Sequence, residues 1–298
     1  MSNPAFTSAD LRAYKKRSLS QEVWRNYKKS PSAMIGLIII IAIVIAAIVS
    51  QFVFNYDTDI VQQDIMNQFL PPLTEGHLLG TDQYGRDELT RVLYGAKYSL
   101  AVGIVSVAIS CLFGCTMGLI AGYYGGVVEN IILRFCEVFM GIPSVLLGVA
   151  IMTAFGQSLA VLMLAVGLVY VPMFARTARA AVLPVREEEY IEAANVSGVG
   201  DLKIIFSHVL PNSLSPIIVQ VTMGVANGIL SASFLSFLGL GVPVPAPEWG
   251  AMLSSAREYI RDYGYLCTFP GIAIMVTVLS FNLMGDGLRD ALDPKLKQ

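Results

Sequence analysis

Few residues in this chain have the type and spacing for chemistry, and each group has a competing structural reading. The stretch Gly80-Thr81-Asp82-Gln83-Tyr84-Gly85-Arg86-Asp87-Glu88-Leu89-Thr90-Arg91 offers carboxylates that could hold calcium. Its spacing does not follow an EF-hand loop, so a tight turn with internal ion pairs is the expected structure, with Asp87 placed to cap a following helix. Cys111 and Cys115 share a helix face at i, i+4 and could begin a metal site. No His or carboxylate stands nearby, and small apolar packing residues is the better reading. Cys136 and Cys267 likewise fall in or beside apolar stretches, which argues against a disulfide-built outer domain. No Gly-x4-Gly-Lys-Ser/Thr occurs anywhere, so the sequence has no evident ATPase site and no cofactor is expected in this chain.

The most informative polar segment begins after Arg176 and Arg179. Pro184 suits the first turn of a helix, with Glu187, Glu188 and Glu189 near its positive end. That helix continues through Tyr190, Ile191, Glu192, Ala193 and Ala194 until Gly198 and Gly200 break it. Asp201 can cap a second short helix, Leu202 to Val209, before Pro211 stops it. This helix, glycine turn and helix expose small residues of the kind that fit a partner's groove.

The elements that position these segments follow from composition. Of 298 residues, 55% are apolar and only 14% charged, whereas a soluble domain carries about 25% charged residues. A net charge of -2 provides no basic field for nucleic acid, so none is expected as a partner. Met34 to Phe54 is 21 residues without an ionisable group, enough to cross the roughly 30 Å hydrocarbon core as a helix. Its length and late start favour a retained anchor over a cleaved signal peptide. Five further spans are expected: Tyr98 to Tyr123, Ile131 to Phe155, Leu159 to Phe174, Ser213 to Val242 and Leu266 to Met284. The second carries Gly114, Gly118 and Gly122, a small-xxx-small face on which another helix can pack closely.

Six spans place both termini on one side. Arg12, Lys15, Lys16, Arg17, Arg25, Lys28 and Lys29 precede the first span, and the positive-inside rule holds that end in the cytoplasm. Arg134, Arg176, Arg179, Arg186, Lys203, Arg289, Lys295 and Lys297 then fall inside, giving 15 basic residues against five outside: Arg86, Arg91, Lys97, Arg257 and Arg261. The expected organisation is a cytoplasmic segment 1–33, a first helix 34–54, an acidic outer loop 55–97, and a five-helix core 98–298 whose inner loop spans about 180–211. In the last outer loop, Pro243 to Tyr265, Trp249 and the tyrosines are expected either to sit at the membrane interface or to form a rim for a partner. Arg134, Arg176 and Asp286 are the ionisable residues nearest the apolar interior, all close to its inner boundary, so a proton- or ion-coupled carrier is disfavoured.

At this point the sequence resembles a known family. Glu192-Ala193-Ala194, Gly198 after three residues, and His208-Val209-Leu210-Pro211 after nine more resemble the EAA motif of ABC-importer permeases, Glu-Ala-Ala-x3-Gly-x9-Ile-x-Leu-Pro. His208 departs from the general Ile and looks like the oligopeptide/dipeptide branch. Phe237 to Pro243, Pro247-Glu248-Trp249-Gly250 and Gly285 to Pro294 extend the resemblance to the C-type subunit. The resemblance implies an all-α type I permease fold in the cell membrane of a bacterium or archaeon. It also implies a homologous B-type permease as partner, two cytoplasmic ATPases that bind ATP and Mg, and an extracytoplasmic peptide-binding protein. Glu192, Ala193, Ala194 and Gly198 would contact an ATPase, with Leu210 and Pro211 fixing the return to the membrane. A nickel or metal-chelate permease is the alternative within the fold, and a secondary transporter or a non-transporting assembly protein the alternatives outside it.

Overall fold

The computed structural model describes residues 19–292. Arg12, Lys15, Lys16, Arg17, Pro294, Lys295 and Lys297, to which topology or family readings were attached, lie outside the described residues. Among the described residues the chain is helical with no strands. Helix α1 (Leu19–Tyr27) precedes α2 (Pro31–Val53), which Ser30 caps at its N-terminus and Pro31 opens. After an ordered segment come α3 (Glu88–Tyr124), α4 (Gly126–Met140), α5 (Ser144–Phe155), α6 (Leu159–Arg186) and α7 (Glu189–Val196). The short α8 (Asp201–Ile204) runs through a π-turn, Ile205–Val209, into α9 (Leu210–Leu235). Then follow α10 (Trp249–Ala256) and α11 (Tyr265–Leu292).

Among the described residues five helices are long and apolar enough to cross a membrane: α2, α3, α6, the continuous run Asp201–Leu240, and α11. The single span expected over Ile131–Phe155 is instead two helices, α4 and α5, bent by 84°. The cause is local. Pro143 has no N–H for the α-helical ladder and its ring drives Ile142 out of the helical region, so the helix closes at Gly141. At 15 and 12 residues neither half reaches across the roughly 30 Å core alone. Counted as one crossing, the pair brings the total to six.

The bundle core is the α3–α6 pair, against which α9 packs, with α11 on α9 and α2 outermost against α11 and α3. α2 leaves Ile35, Ile38, Ile41, Ile45 and Ile48 exposed on its outer face. Chain direction separates two ends. α2 runs from the end holding Tyr27, Ala33 and Ala291, which pack together, to the end holding the 55–87 segment, and α3 returns. The first end therefore carries both described termini and the 187–209 loop; the second carries the 55–87 and 241–264 segments.

Three helix boundaries differ from the sequence expectation. α6 continues three turns past Phe174, and Pro184 lies within its last turn rather than opening the next helix. Pro211 does not stop a helix; it sits just beyond the π-turn, inside the continuous run. A proline in a long apolar helix is tolerated because neighbouring groups and local π adjustment take up the freed carbonyl.

Candidate functional site

The glycine face of α3 lies on α6, a partner that periodicity left unassigned. A Cβ at Gly118 would stand 2.3 Å from the Ala175 carbonyl oxygen and 2.6 Å from the Ala178 Cβ. At Gly114 it would meet the Phe174 Cβ at 2.5 Å, and at Gly122 the Val182 Cβ at 2.8 Å. Backbone thus lies against backbone along the pair, the geometry in which dispersion contacts hold helices together within lipid. At the end of this seam Arg186 Nη1 donates to the Gly122 carbonyl at 3.1 Å, satisfying one of the carbonyls that the α3 C-terminus leaves open. Arg179 pairs with Glu129 of α4 beside it.

The loop predicted for partner contact hangs from this junction. Ile191, Ile204 and Val209 are buried against Leu119 of α3 and Val182 of α6, with Ala194, Val199 and Leu210 packed at the margin. Tyr123 of α3 donates to Asn195 Oδ1 at 3.3 Å and to Asp201 Oδ1 at 3.2 Å. α7 ends in a Schellman motif. The Gly198 N–H bonds to the Asn195 carbonyl at 3.0 Å, and the Val199 N–H reaches back to Ala194 at 3.1 Å. Gly198 occupies φ +74 with open space where a Cβ would stand, so conformation and not crowding calls for glycine there. Asp201 does not cap; Gly200 stands at that position, and Asp201 opens α8 where its carboxylate faces the helix N-terminus and Tyr123.

The sequence-predicted contact residues divide accordingly. Glu192, Ala193, Gly198 and Pro211 are exposed, whereas Ala194 and Leu210 are half-buried and belong to the attachment. The loop also presents Val196, 85% exposed, Leu202, 71% exposed, and Phe206, 62% exposed. Three large apolar side chains thus stand exposed on a loop whose other side is packed against α3 and α6. Sequence reasoning missed Val196, Leu202 and Phe206, although their apolar type in a polar connector is a readable signal.

The opposite end is a polar knot. Asp82 Oδ1 accepts from the Tyr84 and Arg86 N–H groups at 2.8 and 3.0 Å, and Oδ2 pairs with Arg86 Nε at 2.7 Å and Arg91 Nε at 3.6 Å. Arg91 Nη1 also donates to the Ile60 carbonyl at 2.8 Å. This is the turn with internal ion pairs that the spacing suggested, and Asp87 caps α3 through the Thr90 N–H at 2.8 Å. Glu88 is buried beside these groups, in the part of α3 that precedes the span from Tyr98. Burial pushes its carboxyl up to about 8, with Arg91 and Arg86 drawing it down and Asp82 and Asp87 raising it.

Trp249 lies neither at the lipid interface nor on a rim. It is 2% exposed, and its indole N–H donates to the Val92 carbonyl at 2.9 Å. The neighbouring Glu248 caps α10, accepting from the Gly250 and Ala251 N–H groups at 2.8 and 2.9 Å and from the Ser99 hydroxyl at 3.3 Å. Burial raises the Glu248 carboxyl above its ordinary range, and those N–H donors pull it back. The 55–87 and 241–264 segments are thus knitted into α3. A broad groove of about 1,210 Å³ crosses their surface, lined among others by Asp59, Asp64, His77 and Asp87. A second cavity of about 360 Å³, lined by Val145, Val166, Leu230 and Phe234, opens on the flank between α5, α6 and α9.

Residues 114–298 match the family model described as binding-protein-dependent transport system inner membrane component. Residues 18–72 match the N-terminal transmembrane domain of oligopeptide transport permease C. The dipeptide transport system permease protein DppC of Alkalihalophilus pseudofirmus is 45% identical over 93% of this chain and 90% of its own length. The DppC protein of Haemophilus influenzae is 43% identical over 93% of this chain and 95% of its own. Among solved structures, the MetNI methionine ABC transporter in an inward-facing conformation superposes with a TM-score of 0.56 at 18% identity, covering 68% of this chain and 97% of that one. That likeness is one of fold, a type I ABC permease. On the strength of both family models and these relatives, the chain belongs to the binding-protein-dependent transport system inner membrane components, in the oligopeptide/dipeptide permease C branch.

Proposed function

We propose that this chain is the C-type permease subunit of an ABC importer that moves di- or oligopeptides across the cytoplasmic membrane. The observation that carries the mechanism is the 187–209 loop, exposed on one side and buried on the other against the α3–α6 seam. An ATPase groove closes over Glu192, Ala193, Val196 and the Gly198 turn. ATP and Mg are held by that partner, and the loop transmits its motion. Because Ile191, Ile204 and Val209 are packed into α3 and α6, a displaced loop carries those helices with it, a rigid-body transition between alternate states. The first and last described helices bring Leu19 and Leu292 to the same end of the bundle as this loop, which fits a cytoplasmic placement for that end, in line with the basic residues there. The acidic groove at the other end then faces the binding protein, and the apolar flank between α5 and α9 faces the homologous B-type permease.

Peptide is favoured over nickel because relatives 43–45% identical carry dipeptide names, and a glutathione permease of Pectobacterium atrosepticum is 41% identical. The test is reconstitution of the chain with its neighbouring permease, ATPases and binding protein, followed by uptake of labelled dipeptides, longer peptides and nickel. ATP-dependent peptide uptake is expected. Uptake without ATP, or of nickel but not peptide, refutes the reading.

A further inference from the structure

The N-terminal helix α1 has a face that the permease reading does not use. Tyr27 is buried, its hydroxyl donating to the Ala33 carbonyl at 3.0 Å, so α1 is fixed to the first turn of α2. Trp24 stacks on Tyr27 with ring centroids 5.9 Å apart, and the Lys28 ammonium lies 4.9 Å from the Trp24 ring. Trp24, 47% exposed, and the exposed Arg25, Lys28 and Lys29 therefore form a pre-set aromatic and basic face. Three residues separate Tyr27 from Pro31, where the lipid-type helix begins, and its exposed isoleucines start at Ile35. The face consequently sits at headgroup depth, continuous with the apolar surface of α2.

We propose that α1 is an interfacial helix that binds anionic lipid headgroups through Trp24, Arg25, Lys28 and Lys29, tying the first span to the charged leaflet. The indole occupies the headgroup and acyl boundary, and the three cations meet phosphates. Charge favours this occupant: residues 12–29 contain seven basic side chains and one acidic one, Glu22. A neighbouring cleft of about 270 Å³ holds Lys29 on one wall and Asp290 on the other. Its mixed charge gives no anion preference, which assigns the binding to the outer face of α1 and not to that cleft.

This chain has two tryptophans, Trp249 is buried, and the partner subunits add their own, so the Trp24 signal is the difference between the unmodified protein and Trp24→Phe. The assembled transporter is placed in nanodiscs of phosphatidylcholine and phosphatidylglycerol, with bromine on the acyl chains of one lipid or the other. The Trp24→Phe protein supplies the Trp249 background. Brominated phosphatidylglycerol is expected to quench Trp24 more strongly than brominated phosphatidylcholine at equal mole fraction. Neutralising Lys28→Gln and Lys29→Gln should each lower that preference about fivefold. Equal quenching by both lipids overturns the proposal, as does a Trp24 that neither lipid quenches, the signature of a protein partner covering the face. Neither result depends on what the transporter carries.

Discussion

Gly198 and Gly200 form a controlled pair, because a Cβ at either would meet nothing within 4 Å and only their backbone conformations differ. Gly198 sits at φ +74, whereas Gly200 sits at φ -66 and ψ 145, a region open to any residue. Alanine at Gly198 must adopt the left-handed conformation at a cost of roughly 1–2 kcal/mol. Applied to local opening of the α7 turn, that raises the open population by about 5–30-fold. Alanine at Gly200 meets no backbone strain, and the gain of about 0.4–1 kcal/mol from restricting the unfolded chain offsets the loss of a favoured N-cap residue, so little net change is expected. Gly198→Asn should fall between wild type and Gly198→Ala, since asparagine tolerates left-handed backbone. The assay is hydrogen exchange at the Val199 and Lys203 amides, bonded to Ala194 and Gly200 at 3.1 and 2.9 Å, in the assembled transporter. Peptide-stimulated ATP hydrolysis is measured on the same samples. Faster exchange and weaker stimulation in Gly198→Ala, with Gly200→Ala unchanged or slower, is the expected pattern. Equal effects from both alanines, or an asparagine worse than the alanine, would refute a conformational role for this turn.

Three further outcomes follow from named contacts. Gly118→Val sets a Cβ 2.3 Å from a backbone carbonyl that cannot yield, so it should destabilise by more than the usual overpacking range of about 1–3 kcal/mol. Gly271→Ala, with open space inside α11, should leave thermal unfolding in detergent unchanged or raise it slightly. Ile191→Ala removes a fully buried side chain and should loosen the loop by about 2–5 kcal/mol. Tyr123→Phe loses only solvent-exposed hydrogen bonds and should cost below about 1 kcal/mol; protease accessibility of the loop ranks the two, and the reverse order sinks the attachment scheme. For Glu88, the folded carboxyl titrates near 8 and the unfolded one near the ordinary 4.5. Between those values the unfolded chain releases the proton while the folded one keeps it, so this group's contribution to stability is full below 4.5 and lost as pH rises towards 8. The melting temperature of wild type relative to Glu88→Gln should therefore fall from pH 5 to pH 8, and a difference that stays constant contradicts it.

What could be read from the sequence was whatever depends on neighbours along the chain. The spans are legible because a bilayer excludes charge over about 20 residues, and Met34–Phe54 or Leu266–Met284 meets that condition by itself. The α7 helix and its glycine stop are equally local. Trp249 was misplaced because its partner, Val92, stands 157 residues earlier, and nothing in Pro247-Glu248-Trp249-Gly250 announces it. The helix paired with Gly114, Gly118 and Gly122 was illegible for a different reason. α3 and α6 are apolar over most of their circumference, so no stripe marks the side that meets another helix. The bend at Gly141-Ile142-Pro143 was overlooked although Gly and Pro mark it, because composition alone passed the whole stretch as one span.

That bend bears on how a loop displacement would spread. The α3–α6 pair is held by glycine contacts along its length and clamped at the loop end by Arg186. Such a seam moves as a unit, since close-packed backbone has no room for sliding. The α4–α5 pair lacks this stiffness: its helices meet at 84° through a short linker where Pro143 interrupts the ladder. α4 follows α3 through Gly125 and is tied to α6 by Arg179, whereas α5 packs on α6 near the flank cavity, where Gly148 faces Leu235 of α9. Motion of the loop would thus reach α4 directly and α5 only through the bend. The angle between them is the coordinate most able to change while the seam stays intact, and it borders the cavity lined by Val145, Val166, Leu230 and Phe234. Stiffening the linker with a disulfide across the bend should suppress transport while sparing ATPase assembly at the loop. Loss of assembly with it would place the compliance in the seam instead.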